Sequence, residues 1–304
     1  MWNKKNLTEN EEIICWFKVS TYRKKVRNKE LELLDTLKKI CEKHNFRYFA
    51  SGWTLIWAVR HKWFIPRDDD IDTNMFRNDY EKFCKIANKE LPNNIRFSFY
   101  HQWWWKLWFI NTSALWDDNR WDKDLIWWIS IDIFPIDYAS KYSFVNKIKT
   151  ITLLSLRAII LAQKSDAFIK RMKRWKRFFI YICKYVFRKI NCWKVYKLHE
   201  KIAKKVFFKW DKIYNWWCPY QYYPKNIFNE FHNVEFENTT ICIPDWYDTY
   251  LRIAYWNYMK PIVWEWWHHC RYSIDKSYKD IIKSFDKWQS NEENYNKCKD
   301  LFAL

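Results

Sequence analysis

A single glycine, Gly52, is present among 304 residues, and it stands beside 24 tryptophans. Glycine best occupies the left-handed backbone conformations of tight turns, helix C-caps and phosphate-binding loops, and tryptophan enters them only with strain. A chain of this length ordinarily has about 21 glycines, or roughly 7% of its residues. One glycine plus 24 tryptophans gives 25, which is close to that number. We therefore hypothesise that most of these tryptophans are glycines in the natural protein, encoded by UGA codons that its source reads as glycine. The alternative is a tryptophan-rich protein whose turns use other residues at positive φ.

Composition also indicates a folded protein inside the cell. Hydrophobic residues make up 49% of the chain, which is enough to fill a sizeable core. Residues 1–10 are polar and lack the apolar run of a secretory signal, and no stretch reaches about 18 uncharged apolar residues, the length of a membrane span. The nine cysteines are an odd number and no two have the CxxC spacing, which argues against a disulfide framework and a structural zinc site. We expect a cytoplasmic protein, peripheral at the inner face of the membrane.

Positive charge is concentrated in residues 141–210. This segment has 20 Lys and Arg against 2 Asp and Glu, whereas the rest of the chain has 34 against 33. Apolar residues recur within it at steps of three and four, at Phe168, Met172, Trp175, Phe179, Ile182, Val186 and Ile190. This spacing predicts one amphipathic helix whose apolar stripe either packs on the core or lies in a membrane interface. The charge density favours an anionic membrane surface as the partner of residues 141–210, with nucleic acid as the less favoured alternative.

Periodicity elsewhere predicts both helices and strands, and therefore an α+β fold. Helices are predicted over 22–44, 54–60, 79–91, 245–254 and 278–288. Strands are predicted over 48–50, 70–76, 96–100, 107–112, 127–137, 234–236 and 240–243. The alternation from Asp70 to Phe76 is typical of a strand at a sheet edge or an active-site rim, and Pro135 should stop the strand of 127–137.

Three carboxylates form a candidate metal site. Asp70 and Asp72 are two positions apart, so on a strand their side chains project from the same face. Asp132 stands between Ile131 and Ile133 on a predicted buried strand, which makes it a poor surface charge and a natural third ligand. Hard oxygen ligands of this kind suit Mg²⁺ or Mn²⁺. The alternative is a hydrated acidic loop with Asp132 capping a turn, but the cations of 60–62 just upstream favour a site for a phosphate anion.

The acidic run belongs to a longer segment that resembles a known family. Residues 48–83 include the run SGWTLIWAVRHKWFIPRDDDID (51–72). This segment is similar to the motif region of the LicD-type phosphotransferases, the nucleotidyltransferase-like group that includes the fukutin-related proteins. Two further blocks, residues 129–137 and 244–260, also resemble that family. The resemblance implies a nucleotidyltransferase-like mixed sheet core with flanking helices and a basic helical insertion. It divides the chain into a catalytic core (1–140), a basic helical region (141–230) and a C-terminal part that completes the domain (231–304).

The resemblance also implies a reaction and a set of site residues. A hydroxyl of a cell-surface glycan or lipid-linked sugar would attack the phosphorus of a CDP-activated donor that carries choline or a polyol, and CMP would leave. Asp70, Asp72 and Asp132 would hold the metal and serve catalysis, with Asp132 or Asp72 as the base. The implied substrate-binding residues are Ser51, Gly52, Trp53, Arg60, Lys62 and Asp68, with Arg60 and Lys62 clamping phosphate oxygens and His61 as readily structural.

Departures from the family motif keep two other functions open. Tryptophan stands where the family has glycine at Trp53, Trp57, Trp63, Trp128 and Trp256, and Arg67 stands where the family usually has tryptophan. A true tryptophan at position 53 would fill the phosphate loop. The alternatives are a nucleotidyltransferase that adds NMP to RNA or to a small molecule, and an inactive module that binds membranes or nucleic acid. The run His268-His269-Cys270 has no partner at ligand spacing, so a surface or packing role is favoured over metal binding.

Overall fold

The computed structural model places a mixed sheet of seven strands at the centre of the chain. It describes residues 4–6, 12–14, 17–64, 70–99, 105–115, 126–170, 172–206, 209–215, 218–260 and 271–274. The helices are α1 (Thr21–His44), α2 (Gly52–Arg60), α3 (Arg77–Glu90), α4 (Ser143–Ala162), α5 (Asp166–Lys170), α6 (Arg174–Val186), α7 (Cys192–Lys204) and α8 (Tyr247–Tyr255), with a 3-10 helix over Lys225–Phe228. The strands are β1 (Lys4–Asn6), β2 (Glu12–Ile14), β3 (Phe17–Val19), β4 (Tyr48–Ala50), β5 (Ile71–Phe76), β6 (Ile95–Phe99), β7 (Trp105–Phe109), β8 (Ser113–Leu115), β9 (Ile126–Trp127), β10 (Ser130–Ser140), β11 (Lys209–Asn215), β12 (Tyr222–Pro224), β13 (Phe231–Phe236), β14 (Thr239–Pro244) and β15 (Arg271–Ser273).

Strand β10 organises the central sheet. The strand order is β12-β11-β10-β5-β4, and β7, which carries β6, also pairs with β10. The β5–β10 pair is parallel and the other pairs of this sheet are antiparallel. This mixed sheet with its helices confirms the α+β class, while the closer likeness to a nucleotidyltransferase core and the three-part division of the chain stay predictions. Strand β5 lies inside the sheet, so of the two expected places, a sheet edge or an active-site rim, the sheet edge is wrong.

Helix α1 shows how the chain ends a helix without glycine. The Ser20 side chain accepts a hydrogen bond from the backbone N–H of Arg23 at 3.2 Å, and Leu33, Leu34 and Leu37 are buried in the main core. The helix ends at Asn45, whose φ of 55° is left-handed. Asparagine tolerates this conformation better than most residues, so this turn needs no glycine.

Most of the predicted elements are confirmed, with shifts of a few residues at their ends. The predicted helices over 22–44, 54–60, 79–91 and 245–254 correspond to α1, α2, α3 and α8, and the predicted strands correspond to β4, β5, β6, β7, β10, β13 and β14. The predicted helix over 278–288 lies outside the described residues.

Pro135 does not stop its strand, which runs from Ser130 to Ser140. On one side of β10, pairing with β7 ends at Ile133 and pairing with β11 begins at Ile136. Pro135 lies in the gap between these two partners, where its missing N–H leaves no broken hydrogen bond on that side. The prediction was wrong because a sequence does not show where two neighbouring strands leave such a gap.

The basic segment contains four helices, α4 to α7, and the single helix predicted over 168–190 is wrong. Helices α5 and α6 are separate, and the apolar stripe predicted on this segment faces solvent over α6. None of the helices within the described ranges is both long enough and apolar enough to cross a bilayer.

Candidate active site

Asp70, Asp72 and Asp132 converge at one end of the parallel strand pair. Asp72 on β5 is directly opposite Asp132 on β10, and Asp70 immediately precedes β5. One carboxylate oxygen from each residue lies within 4.8 Å of the others. Three hard oxygen donors at this spacing fit a divalent cation such as those that bind phosphates. The structure therefore brings together the three residues that the sequence proposes as ligands.

Lys106 adds a buried positive charge to this carboxylate cluster. It is opposite Asp132 across the β7–β10 pair, and its Nζ forms an ion pair with Asp132 Oδ1, with both side chains almost fully buried. Burial, followed by the negative charges of Asp70 and Asp132, raises the pKa of Asp72 well above its usual value, and Lys106 opposes this shift. Three carboxylates and one ammonium carry a net charge of −2, which one divalent cation would neutralise. Lys106 was not predicted as a site residue. A lysine between Trp105 and Leu107, next to the predicted strand of 107–112, is the sequence feature that could have indicated a buried charge.

Two hydrogen bonds join the loop before α2, and the first turn of α2, to the backbone of Asp72. The Ser51 N–H donates to the Asp72 carbonyl oxygen at 3.0 Å, and the Asp72 N–H donates to Thr54 Oγ1 at 2.9 Å. Gly52 has a φ of +56°, and a Cβ at this position would lie 2.7 Å from Asp72 Oδ2. Only glycine satisfies both the backbone conformation and the close approach of the carboxylate. The one glycine of the chain is therefore at a position that requires it.

A network of buried polar side chains also holds Ser51 of this loop in place. Asn74 Nδ2 donates to Ser51 Oγ at 2.8 Å, and Asn215 Nδ2 donates to Asn74 Oδ1 at 2.9 Å. Ser51 Oγ also lies 3.3 Å from the hydroxyl of Tyr250 on α8. Because such a network is stable only when its members are satisfied together, it fixes the position of Ser51 relative to β5, β11 and α8. No sequence pattern pointed to these partners, which come from segments far apart in the chain.

A pocket of about 230 Å³ opens beside the carboxylates. It is lined by Ser51, Gly52, Trp53, Asp70, Asp72, Phe134, Asn215, Cys218, Gln221, Tyr223, Tyr250, Ala254 and Tyr255. The rings of Tyr223 and Tyr250 stack with their centroids 4.6 Å apart. Aromatic walls beside a charged end are typical of sites that hold a ligand with an apolar or cationic part and a phosphate.

Two of the predicted substrate-binding residues, Arg60 and Lys62, are not brought to this pocket. Arg60, at the far end of α2, donates from its guanidinium to the Tyr258 carbonyl oxygen, and Lys62 Nζ pairs with Glu235 at 3.0 Å near the surface. Asp68 lies outside the described residues, as does the run of 268–270. The phosphate-binding role of Arg60 and Lys62 and the substrate-binding role of Asp68 stay predictions. His61 is buried, and burial together with the charge of Arg60 lowers its pKa to about 4, which suits a structural role.

Two of the tryptophans at family glycine positions, Trp256 and Trp57, have unfavourable structural environments. Trp256 ends α8 with φ 57° and ψ −88°, and its side chain is 86% exposed. This is a backbone conformation that glycine adopts far more readily than tryptophan. Trp57 is fully buried, and its indole N–H has no hydrogen-bond partner within the described structure. Trp53 lines the pocket, and Trp128 stacks on Trp108 with centroids 4.1 Å apart.

Comparison with known proteins gives one partial match. The chain is similar to lipopolysaccharide cholinephosphotransferase LicD of Haemophilus influenzae, with 45% identity over 60 residues. The matched stretch covers 20% of this chain and 23% of that protein. No protein-family model matches the chain. The partial match supports membership of the LicD family.

Proposed function

We propose that this chain, as a member of the LicD family, is a metal-dependent phosphotransferase. It transfers a phosphocholine-like or polyol-phosphate-like group from a CDP-activated donor to a hydroxyl of a cell-surface glycan or a lipid-linked sugar. The observation that carries the proposal is the convergence of three carboxylates and the Gly52 loop at one pocket, because phosphoryl transfer depends chiefly on positioning and charge stabilisation. The mixed sheet supports a nucleotidyltransferase-like core, built by residues 1–140 and 231–304 together with strands β11 and β12, while the helices of 141–230 form the basic insertion.

In the proposed reaction, different residues of the site bind the metal, contact the phosphates and accept the proton. Mg²⁺ or Mn²⁺ held by Asp70, Asp72 and Asp132 would neutralise charge on the donor diphosphate. Ser51, Gly52 and Trp53 place the loop backbone against the phosphates. The acceptor oxygen forms a bond to the distal phosphorus, the bond from that phosphorus to the bridging oxygen breaks, and CMP leaves with that oxygen. Asp132 or Asp72 would accept the hydroxyl proton.

The substrate-binding roles of Arg60, Lys62 and Asp68 are part of this proposal. Arg60 and Lys62 are cations of the family-like segment, and would reach phosphate oxygens only after exchanging their present partners, the Tyr258 carbonyl and Glu235. Acceptors of the proposed kind are anchored in membranes, so we place the protein in the cytoplasm, peripheral at the inner face of the membrane. Nucleic acid is the less favoured partner.

Donor screening tests this function. Protein with glycine at the suspect tryptophan positions would be incubated with CDP-choline, CDP-glycerol or CDP-ribitol, a sugar acceptor and Mg²⁺, and released CMP would be measured. We expect CMP release with one donor class, lost on chelation of the metal and in Asp70→Asn with its fold intact. Asp211→Asn, the same substitution at an exposed position on β11, should behave as the unmodified protein. Full activity of Asp70→Asn would contradict the metal assignment. In a parallel incubation with NTPs in place of the CDP-linked donors, NMP incorporation with release of pyrophosphate would indicate a nucleotidyltransferase instead.

A further inference from the structure

Helix α6 packs on the protein through one side only. Ile180 is its one buried residue within the described structure, and it joins Ala162 and Ile169 in a small apolar cluster. On the same side, Lys184 Nζ donates to the Lys164 carbonyl oxygen at 3.0 Å and pairs with Asp166 at 2.7 Å. These contacts fix α6 against the end of α4 and leave the rest of its surface in solvent.

Large apolar side chains cover the side of α6 that faces away from the protein. At about 100° per residue, Phe179, Ile182 and Val186 fall within an arc of about 60°, and Ile180 and Lys184 lie about 130° and 170° from its centre. Phe179 is 58% exposed and Val186 is 60% exposed. Phe178 and Tyr185 widen the arc and are also exposed. The stripe does not depend on Trp175, which the UGA hypothesis would replace by glycine.

The surroundings of this stripe are strongly basic. Residues 174–186 contain no carboxylate, and Lys173, Arg174 and Lys176 are exposed beside the stripe. The two acids of residues 141–210 are both paired, Asp166 with Lys184 and Glu200 with Arg77 at 2.6 Å. The surface thus combines exposed apolar side chains with uncompensated positive charge.

Helix α4, against whose end α6 packs, has exposed large apolar side chains of its own and also contacts a segment that lines the pocket. Its solvent-facing side chains are Phe144, Ile148, Ile151 and Leu154. Thr150 Oγ1 donates to the Pro219 carbonyl oxygen at 2.8 Å and lies 3.2 Å from the Tyr222 hydroxyl. Pro219 stands between Cys218 and Gln221, which line the pocket. A partner that contacts Ile151 is therefore one residue along α4 from this contact with the pocket segment.

We propose that this face is a docking surface for a membrane that contains anionic lipid. The docking surface consists of Phe144, Ile148, Ile151 and Leu154 on α4 and Phe178, Phe179, Ile182, Tyr185 and Val186 on α6. Apolar side chains flanked by Lys and Arg match the acyl boundary and headgroups of such a membrane. RNA would use the cations but gains little from isoleucine and valine, since its backbone binds through charge. A second copy would bring two equally basic surfaces together, which repels.

Vesicle flotation with the full chain tests the docking surface. We expect binding to vesicles of phosphatidylcholine with phosphatidylglycerol, weaker binding to phosphatidylcholine alone, and a decrease with added salt. The triple variant Phe179→Ser, Ile182→Ser and Val186→Ser should bind at least about tenfold more weakly, because the apolar contribution to partitioning is lost. Its thermal unfolding should be unchanged, since these side chains are exposed. The matched control is Ile253→Ser with Met259→Ser, which removes one exposed apolar side chain on α8 and one just after it, and should leave binding unchanged.

Three results would overturn the docking surface. These are absence of binding to the anionic vesicles, equal binding by the triple variant, and a dimer or an RNA complex that the same three substitutions abolish. The role of the surface in presenting a lipid-linked acceptor rests on the proposed function. Transfer to a water-soluble sugar acceptor separates the two ideas: the triple variant should retain that transfer while losing vesicle binding. If the unmodified protein transfers the group to the soluble acceptor but does not bind the vesicles, the docking surface is wrong and the proposed function is unaffected.

Discussion

Replacing Gly52 by alanine should damage the candidate active site through two separable effects. The left-handed conformation, with φ +56°, costs a non-glycine residue about 1–2 kcal/mol. In addition, the new Cβ would lie 2.7 Å from Asp72 Oδ2, whereas non-bonded contacts are most favourable at about 3.5 Å or more. The Asp72 carboxylate must therefore move by roughly 0.5–1 Å, since the loop is held by two hydrogen bonds to the Asp72 backbone. We expect a loss of about 1–3 kcal/mol in the free energy of unfolding.

A double-mutant cycle separates the clash from the backbone cost. Urea unfolding of Gly52→Ala in the unmodified chain and in Asp72→Ala should show a smaller loss in the second background, because the carboxylate that meets the Cβ is gone. Calorimetric titration with Mn²⁺ should show weaker binding by Gly52→Ala, because one ligand is displaced. Equal losses in both backgrounds together with unchanged Mn²⁺ affinity would refute the close-approach reasoning.

The other predictions concern Lys106, Asp72 and Trp256. Lys106→Met should lower the free energy of unfolding by about 3 kcal/mol, because it removes the ion-pair partner of the buried Asp132. Lys43→Met, which breaks an exposed pair with Glu90, should lower it much less, and similar losses for the two variants in urea unfolding would contradict this reasoning. The pKa of Asp72 in the folded state is raised above its unfolded value of 3.8, so the metal-free folded state binds more protons and loses stability as pH rises through that interval. Mg²⁺ should therefore raise Tm more near neutral pH than in mild acid. An equal rise in Tm at the two pH values would contradict a raised pKa of Asp72 in the metal-free protein. Trp256→Gly should stabilise the protein by about 1 kcal/mol by removing the strain at positive φ, and mass spectrometry of the natural protein should show glycine there; a peptide with tryptophan at 256 would refute the UGA hypothesis at that position.

Local patterns predicted the parts of the site that depend on one strand or one loop. Two-residue spacing placed Asp70 and Asp72 together, and the apolar neighbours of Asp132 indicated a buried strand. These inferences needed no partner strand, because side-chain direction follows from the strand period alone. The parallel register then determines that Asp72 and Asp132 are opposite each other.

Contacts between distant segments could not be predicted from periodicity. The ion pair of Lys106 with Asp132 depends on the register of β7 on β10, and the polar network depends on Asn215 and Tyr250 approaching Ser51. The apolar stripe of α6 was visible in the sequence, but its direction was not. A helical period shows that apolar residues share a face, and tertiary packing decides whether Ile180 or Val186 faces the protein.

The fate of each phosphorus of the donor tests the proposed function most directly. CDP-choline, or whichever donor is active, would be labelled either on the phosphorus next to cytidine or on the distal phosphorus, and incubated with protein, metal and a sugar acceptor. The proposed reaction moves only the distal label to the acceptor and leaves the other label in CMP. Transfer of the label next to cytidine, with release of the head-group phosphate, would contradict a LicD-type phosphotransferase and indicate nucleotidyl transfer at the same carboxylates.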